Sequence, residues 1–131
     1  MSVNNPWFDF ADEDHHMARS ALEDQIYNQV CFHSQQGVEK LLKGFLVKKG
    51  KLVRKTHSLL ELMDLCMKIE SKFQDFKDGF RELDKFYVVT RYPDALPGTL
   101  PEGLPNKKDA TDALQFFEEV KDFMETLNFK L

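Results

Sequence analysis

Apolar residues recur along most of the chain at steps of three and four, which is the spacing of one face of an α-helix. The strongest run joins Phe73, Phe76, Phe80, Leu83 and Tyr87. Four of the five prolines lie between residues 93 and 105, so few helix breakers interrupt the rest of the chain. The pattern predicts an all-α protein.

The first two predicted helices meet near residue 23. Asn5 is placed as an N-cap and Pro6 as a first-turn proline, so the first helix covers about 6–22. The second covers about 23–49, and Gly50 ends it. Their apolar faces are predicted to include Phe10, Met17 and Ala21 in the first helix, and Ile26, Val30, Val38, Leu41, Leu42 and Phe45 in the second.

Capping signals predict where the later helices begin. Ser58 and Glu61 have capping-box spacing at the start of a third helix, with Thr56 as a competing cap. A second match, Ser71-Lys-Phe-Gln74, starts a fourth helix that ends near Arg91, because a proline follows two residues later. A fifth helix covers about 107–127 and presents Ala110, Leu114, Phe117, Val120, Met124 and Leu127 on its apolar face.

Helices with one apolar stripe each predict an up-and-down bundle of four or five helices, forming a single domain over 1–131. Residues 92–106 would be a long Pro-rich loop between the last two helices. Loops of this length are often functional, although a plain crossover stiffened by proline is the alternative.

The composition of the chain limits the classes of function that are possible. The 131 residues are 42% apolar and carry a net charge of −4, which excludes a generic nucleic-acid binder but allows a local basic patch. Cys31 and Cys66 lack metal-site spacing, and we expect two buried thiols in a reducing compartment. A polar, acidic start predicts no signal peptide, and short apolar runs predict no membrane span. We therefore expect a cytoplasmic protein.

The second predicted helix carries a polar stripe beside its apolar one. Gln29, His33, Gln36, Lys40 and Lys43 step by four, three, four and three, which places them on one face. An acid four residues before Lys43, at position 39, favours an intrahelical ion pair. A ligand-binding face and an ordinary solvated face both fit this pattern.

A basic run follows this stripe. It comprises Lys40, Lys43, Lys48, Lys49, Lys51, Arg54 and Lys55. The run leads into Thr56 and His57 at a predicted helix start, a setting that suits a phosphate. One alternative is an ordinary solvated turn. Another is a charged face that contacts a partner protein, because the basic run and the acidic first helix make the charge of the chain asymmetric.

A third polar feature lies where the fourth helix meets the long loop. Arg91 could grip a phosphate with two hydrogen bonds, and Tyr92 could stack on a base. Asp94 could instead hold Arg91 in a structural ion pair. The adjacent His15 and His16 point about 100° apart on a helix, so they do not predict a metal site.

Four segments of the chain form a pattern when they are taken in order. They are Trp7-Phe-Asp9, Cys31-Phe-His-Ser-Gln-Gln-Gly-Val-Glu-Lys-Leu-Leu-Lys43, Lys55-Thr-His-Ser-Leu-Leu-Glu-Leu62 and Thr90-Arg-Tyr-Pro-Asp94. Together they resemble the HEPN family of helical, nucleotide-associated domains. The resemblance implies a helical bundle that forms a homodimer near its polar site and associates with nucleotides or RNA. It further implies, as in many HEPN proteins, partnership with a minimal nucleotidyltransferase in a toxin–antitoxin pair.

Other HEPN proteins are metal-independent ribonucleases with an arginine followed closely by a histidine. Here no histidine follows Arg91, because all four histidines lie upstream. This departure favours a binding module over an enzyme. One alternative is a ribonuclease toxin with a non-local pair, Arg91 with His57 or His33, and a second alternative is a purely structural homodimer.

The candidate catalytic residues are thus Arg91 and His57, and neither a metal nor a cofactor is expected. The candidate nucleotide- or phosphate-binding residues are His33, Gln36, Lys40, Lys43, Thr56, His57, Arg91, Tyr92 and Asp94.

Overall fold

The computed structural model describes residues 5–53, 55–90 and 104–129, and for 87–90 and 128–129 it describes the backbone alone. Its elements are α1 (Pro6–Glu23), α2 (Tyr27–Lys48), α3 (Leu59–Met67), a 3₁₀ segment (Ser71–Phe76), α4 (Lys77–Thr90) and α5 (Lys107–Phe129). No strand occurs within these ranges. The predicted all-α bundle is therefore confirmed, while most of the predicted 92–106 loop lies outside the described residues.

Helix α2 occupies the centre of the bundle. It packs against α1 along much of its length, against α5 on another side, and against α3 and α4 as well. Because α2 has four helical neighbours, little of its surface is exposed to water. Charged residues on α2 are consequently forced into interfaces, which decides where the candidate site lies.

The start of α1 is fixed directly onto α2. The Asn5 side chain caps α1 by accepting from the Trp7 backbone N–H at 3.1 Å, as predicted. Its Nδ2 also donates to the Gly44 carbonyl at 3.0 Å. A Cβ at Gly44 would lie 2.8 Å from the Phe8 ring and 3.1 Å from the Trp7 Cβ, so only glycine allows this close approach.

The junction between α1 and α2 differs from the prediction. Residues 24–26 form a turn, and Gln25 adopts a φ of 61°, which stops α1 and delays α2 to Tyr27. Ile26 consequently lies outside the helix and is exposed. Phe10 and Met17 are exposed as well, so assigning them to the apolar face was wrong, whereas Ala21 is buried as predicted.

Ser58 begins α3, as predicted. Its hydroxyl accepts from the Glu61 backbone N–H at 3.2 Å, while Thr56 caps no helix and accepts instead from the Ser58 N–H at 3.2 Å. A second anchor comes from α4, where the buried Asp84 accepts from the Leu59 N–H at 2.9 Å. The prediction of Thr56 as a competing cap was wrong, because the tertiary contact to Asp84 selects the later start.

The predicted fourth helix divides into two elements. Glu70, not Ser71, caps the 3₁₀ segment by accepting from the Lys72 N–H at 3.4 Å, and α4 begins only at Lys77. The break lets Phe73 and Phe76 point into the bundle before the α-helical register begins. The capping-box prediction at Ser71 was therefore wrong, although the apolar period through Phe80 was right.

Phenylalanines fill the space between α2, α4 and α5. We call this set the aromatic layer: Phe45, Phe73, Phe76, Phe80, Phe116 and Phe123. Phe73 lies at its centre, with edge-to-face contacts to Phe45 and Phe123 at centroid distances of 5.0 Å and 5.1 Å. All six apolar positions predicted for α5 are buried against this core.

Both cysteines are free and buried, which confirms the expectation of two structural thiols. Burial raises the pKa of Cys31 and that of Cys66 to about 12, so neither forms a reactive thiolate near neutral pH. Across the ranges that the structure covers, no helix combines the length and the apolar content needed to cross a membrane.

Candidate functional site

Charged side chains meet where α1, α2 and the link before α3 come together. We call this set the charged layer: Asp14, His33, Glu39, Lys40, Lys43 and His57. Removing such groups from water costs free energy unless each is paired. Here every carboxylate has both a lysine and a histidine as partners, so the layer consists of two similar three-residue groups.

The Glu39 group is the more deeply buried of the two. Glu39 and Lys43 stand four residues apart on α2 and form an ion pair of 2.9 Å, with side-chain exposures of 5% and 7%. This confirms the predicted intrahelical pair, although the face it lies on is not solvated. His57, on the link between α2 and α3, is the third member of the group, and its Nδ1 lies 3.0 Å from a Glu39 carboxylate oxygen.

The Asp14 group joins α1 to α2. Asp14 is buried, and its two oxygens have different partners: His33 Nδ1 at 2.9 Å and Lys40 Nζ at 2.6 Å. The carboxylate thus holds both side chains of α2 in fixed positions. In both groups the imidazole meets its carboxylate through Nδ1, which fixes the orientation of the ring.

Two glutamines of α2 lie beside the Glu39 group and contact the link that carries His57. Gln36 Nε2 donates to the Gln35 Oε1 at 2.7 Å, and Gln35 Nε2 donates to the His57 carbonyl at 3.3 Å. Gln35 is fully buried, so its bonds position the link that carries His57. These bonds fix His57 to α2 through its backbone, in addition to the contact of its side chain with Glu39.

Trp7 covers the Glu39 group at the start of α1. The Lys43 ammonium lies 5.5 Å from the centroid of the half-buried Trp7 ring, within cation–π range. The Asn5 and Gly44 contact described above holds the indole there. The site therefore combines an aromatic surface, two lysines and two oriented imidazoles.

The charges of the layer balance. Two carboxylates oppose two ammonium groups, so these four side chains together carry no net charge. No cluster of three or more histidine, cysteine, aspartate or glutamate side chains suited to a metal occurs in the part of the chain that the structure describes.

Five of the nine predicted binding residues lie in these two groups or beside them on α2: His33, Gln36, Lys40, Lys43 and His57. Thr56 does not join them, because its hydroxyl faces the start of α3 and donates to Glu61 at 3.2 Å. The other three, Arg91, Tyr92 and Asp94, lie outside the described residues. A pocket shared by Arg91 and His57 therefore stays a prediction.

Sequence reasoning missed four contributors as members of the site: Asp14, Gln35, Trp7 and Glu39, the last of which was predicted only as the ion-pair partner of Lys43. A signal existed for Asp14, because it falls on the buried stripe of Ala11 and Ala18, where an acid is out of place. Gln35 similarly shares the buried face of α2 four residues before Glu39. Nothing in the local sequence indicates that Trp7 covers Lys43.

Comparison with known proteins agrees with this architecture. The HEPN domain family model matches residues 5–127. The structure of TT1696 from Thermus thermophilus superposes with a TM-score of 0.76 and 29% identity, covering 96% of this chain and 98% of that one. The structure of ST0689, described as an archaeal HEPN homologue, superposes with a TM-score of 0.72 and 28% identity, covering 93% of this chain and 94% of that one.

A sequence relative is the "Putative toxin MJ1304" of Methanocaldococcus jannaschii. It is 29% identical over 126 residues, which covers 87% of this chain and 83% of that protein. The family model spans nearly the whole sequence, and the helical bundle superposes on solved HEPN proteins over nearly its full length. The chain therefore belongs to the HEPN domain family.

Proposed function

We propose that this protein is a toxin–antitoxin-type HEPN module that binds a nucleotide or RNA phosphate at the charged layer and works with a minimal nucleotidyltransferase. The single observation that carries the binding half is the buried Glu39–Lys43 pair beneath His57 and Trp7. A buried ion pair adds little net stability, because the cost of desolvation offsets its attraction. The presence of such a pair beside accessible groups therefore favours a functional role.

The groups present suit a nucleotide. Lys40 and Lys43 offer ammonium donors, the imidazoles add positive charge when protonated, and Trp7 offers an aromatic ring for stacking. Asp14 and Glu39 would repel a phosphate, and in the unliganded site each of them is paired with a lysine.

The first experiment uses the only tryptophan, Trp7, as the probe. ATP, GTP and a short single-stranded RNA are titrated while the fluorescence and the Tm are followed. Saturable quenching with a rise in Tm is expected. His57→Ala and Lys40→Gln should each weaken the response about tenfold, since charged hydrogen bonds contribute about 1.5–3 kcal/mol.

Matched controls are available on the same molecule. His16→Ala removes an exposed histidine from α1, and Lys72→Gln removes an exposed lysine from the 3₁₀ segment. Both should leave the titration unchanged. If ATP, GTP and RNA all leave the fluorescence and Tm unaltered, the binding half of the proposal is wrong.

Support for the partner half comes from the family and from a relative whose name carries the word toxin. Co-expression with a nucleotidyltransferase encoded beside this chain, followed by purification through a tag on one of them, is the test. A stoichiometric complex is expected. Recovery of the tagged protein alone would contradict the pairing. We also propose a cytoplasmic location for this chain, since a reducing compartment keeps thiols such as Cys31 and Cys66 free.

A metal-independent ribonuclease is the second candidate. Two oriented imidazole–carboxylate pairs favour it, because a histidine held through Nδ1 is the arrangement of a general base. Total RNA is incubated in EDTA with the wild type, Arg91→Ala, His57→Ala, His33→Ala and His16→Ala. Cleavage lost in the first two variants but kept in His16→Ala would favour the enzyme. Intact RNA with the wild type would reject it.

A homodimer follows from the family resemblance and is also proposed. In the purely structural alternative, the charged layer would form part of the dimer contact and bind no ligand. Sedimentation of the wild type and His57→Ala, with and without ATP, separates the cases. A dimer that ignores ATP and RNA supports the structural alternative, whereas a saturable ligand response rejects it.

A further inference from the structure

At the far end of α2, an open apolar groove lies between the helix terminus and α3. Its volume is about 380 Å³, and it is lined by Leu46, Lys51, Leu52, Leu65, Lys68 and Ile69. Leu46 and Leu65 form the floor, where Leu46 is buried and Leu65 half-buried. None of the lining residues belongs to the charged layer.

The link after α2 gives the groove its shape. Gly50 adopts a φ of 74° and turns the chain back, and the Lys51 N–H donates to the Leu46 carbonyl at 2.9 Å. These contacts place Leu52 on the wall, where its side chain is 93% exposed. Ile69 and the neighbouring Val47 are exposed as well. A cluster of exposed aliphatic groups around a concave floor is typical of a binding surface.

The two charged residues that line the groove have the same sign. Lys51 and Lys68 stand on its rim, and neither makes an ion pair within the described ranges. Exposed Lys48 and Lys55 lie on the same helix end and link. The lining of the groove is thus basic on a chain whose net charge is −4. An occupant with carboxylates would be attracted by this rim and would neutralise it.

From the aliphatic floor and the unpaired lysines we propose that this groove docks an acidic amphipathic segment of a partner protein, with aliphatic side chains in the groove and carboxylates on Lys51 and Lys68. The proposal rests on the proposed function only in that the chain works with a protein partner. A lipid surface fits less well, because a concave site receives a side chain, whereas membrane binding uses protruding apolar groups.

The test uses a fluorescein-labelled synthetic peptide with leucines at helical spacing among glutamates, followed by fluorescence anisotropy. Binding is expected to be saturable and to weaken with salt. A peptide with serine for leucine and one with lysine for glutamate should both fail to bind. No binding by the leucine–glutamate peptide overturns the proposal.

Variants of the protein locate the site. Lys51→Glu with Lys68→Glu should weaken peptide binding about tenfold or more, since like charges then face each other. Leu52→Ser should also weaken it, and an exposed leucine elsewhere, Leu104→Ser, is its matched control. Lys72→Glu with Lys77→Glu is the control for charge reversal, because both lysines are exposed on the 3₁₀ segment and the start of α4.

Each outcome distinguishes this proposal from the proposed nucleotide site in the charged layer. The Trp7 response to ATP is recorded on the same samples and should not change in the groove variants. Loss of peptide binding with an intact Trp7 response supports the groove. Equal peptide binding by the groove variants and their controls overturns it, as does tighter binding to anionic phospholipid vesicles or self-association that displaces the peptide.

Discussion

The aromatic layer and the charged layer lie on different sides of α2 and obey opposite rules. In the aromatic layer, Phe73 and its neighbours bury large apolar rings that need no partner, and each ring removed from water stabilises the fold. In the charged layer, Glu39 and Lys43 are nearly as buried, yet their desolvation offsets much of their attraction. The first layer explains why the bundle folds, and the second holds the proposed ligand site.

Surface ion pairs of the same chain sharpen the contrast. Lys108–Asp112 lies 2.8 Å apart with both side chains exposed, and a pair of this kind contributes little to stability. Glu39–Lys43 has a similar distance but hardly any exposure. The pair in the proposed site therefore differs from a surface pair in its burial beside His57 and Trp7 and not in its distance.

The largest effect should come from the aromatic layer. Phe73→Ala removes a fully buried ring between two others and is expected to lower the free energy of unfolding by about 3–5 kcal/mol. Urea denaturation measures it. Under native conditions the Trp7 response to ATP should persist. A loss below about 1 kcal/mol would mean that the layer is loosely packed.

The next effect concerns the buried pair. Glu39→Ala leaves Lys43 charged without its partner and should cost about 3 kcal/mol or more. The double variant Glu39→Leu with Lys43→Met should restore the stability to within about 1 kcal/mol of the wild type or better. That double variant should fold normally but lose the Trp7 response. If it binds ATP as the wild type does, the pair has no role in the site.

Helix caps offer a smaller, matched comparison. Ser58→Ala removes the cap of α3 and is expected to cost about 1 kcal/mol. Because Ser58 follows His57, the Trp7 response should weaken too.

Asn106→Ala is the matched control. It removes the cap of α5, where Asn106 accepts from the Asp109 N–H at 2.9 Å, and should cost a similar amount of stability. It should not alter the response. Equal effects of the two variants on ATP titrations would argue that stability alone controls binding.

The smallest effect lies between α1 and α5. Burial alone would raise the pKa of Glu118, but hydrogen bonds from His15 and Arg19 outweigh it and lower that pKa below 4.5. A lowered carboxyl pKa stabilises the fold above 4.5, and this contribution disappears as pH falls through the folded-state value.

Glu118→Gln should therefore cost about 0.5 kcal/mol near neutral pH, since the side chain is partly exposed, and progressively less in acid. Chemical denaturation of both proteins across pH 3 to 7, a range of about four units around the ordinary pKa, measures the difference. A cost that stays constant down to the lowest pH would contradict the assignment.

Much of the fold followed from the sequence. The apolar stripe of α5 predicted six buried positions correctly, and Ser58 marked the start of α3 to the residue. These features depend on local spacing and on hydrogen bonds between residues three apart, so the local sequence contains them. The Glu39–Lys43 pair was predicted for the same reason, as two residues one helical turn apart.

The tertiary structure decided which polar residues belong to the site and which apolar residues belong to the core. Phe10 and Met17 fit the period of α1 yet stay exposed, because α2 packs against the face of Ala11 and Ala18. Asp14 lies on that face and becomes the partner of two α2 side chains, a pairing across 19 and 26 residues of sequence. Helical spacing reveals the face of one helix, but only packing selects which face another helix covers.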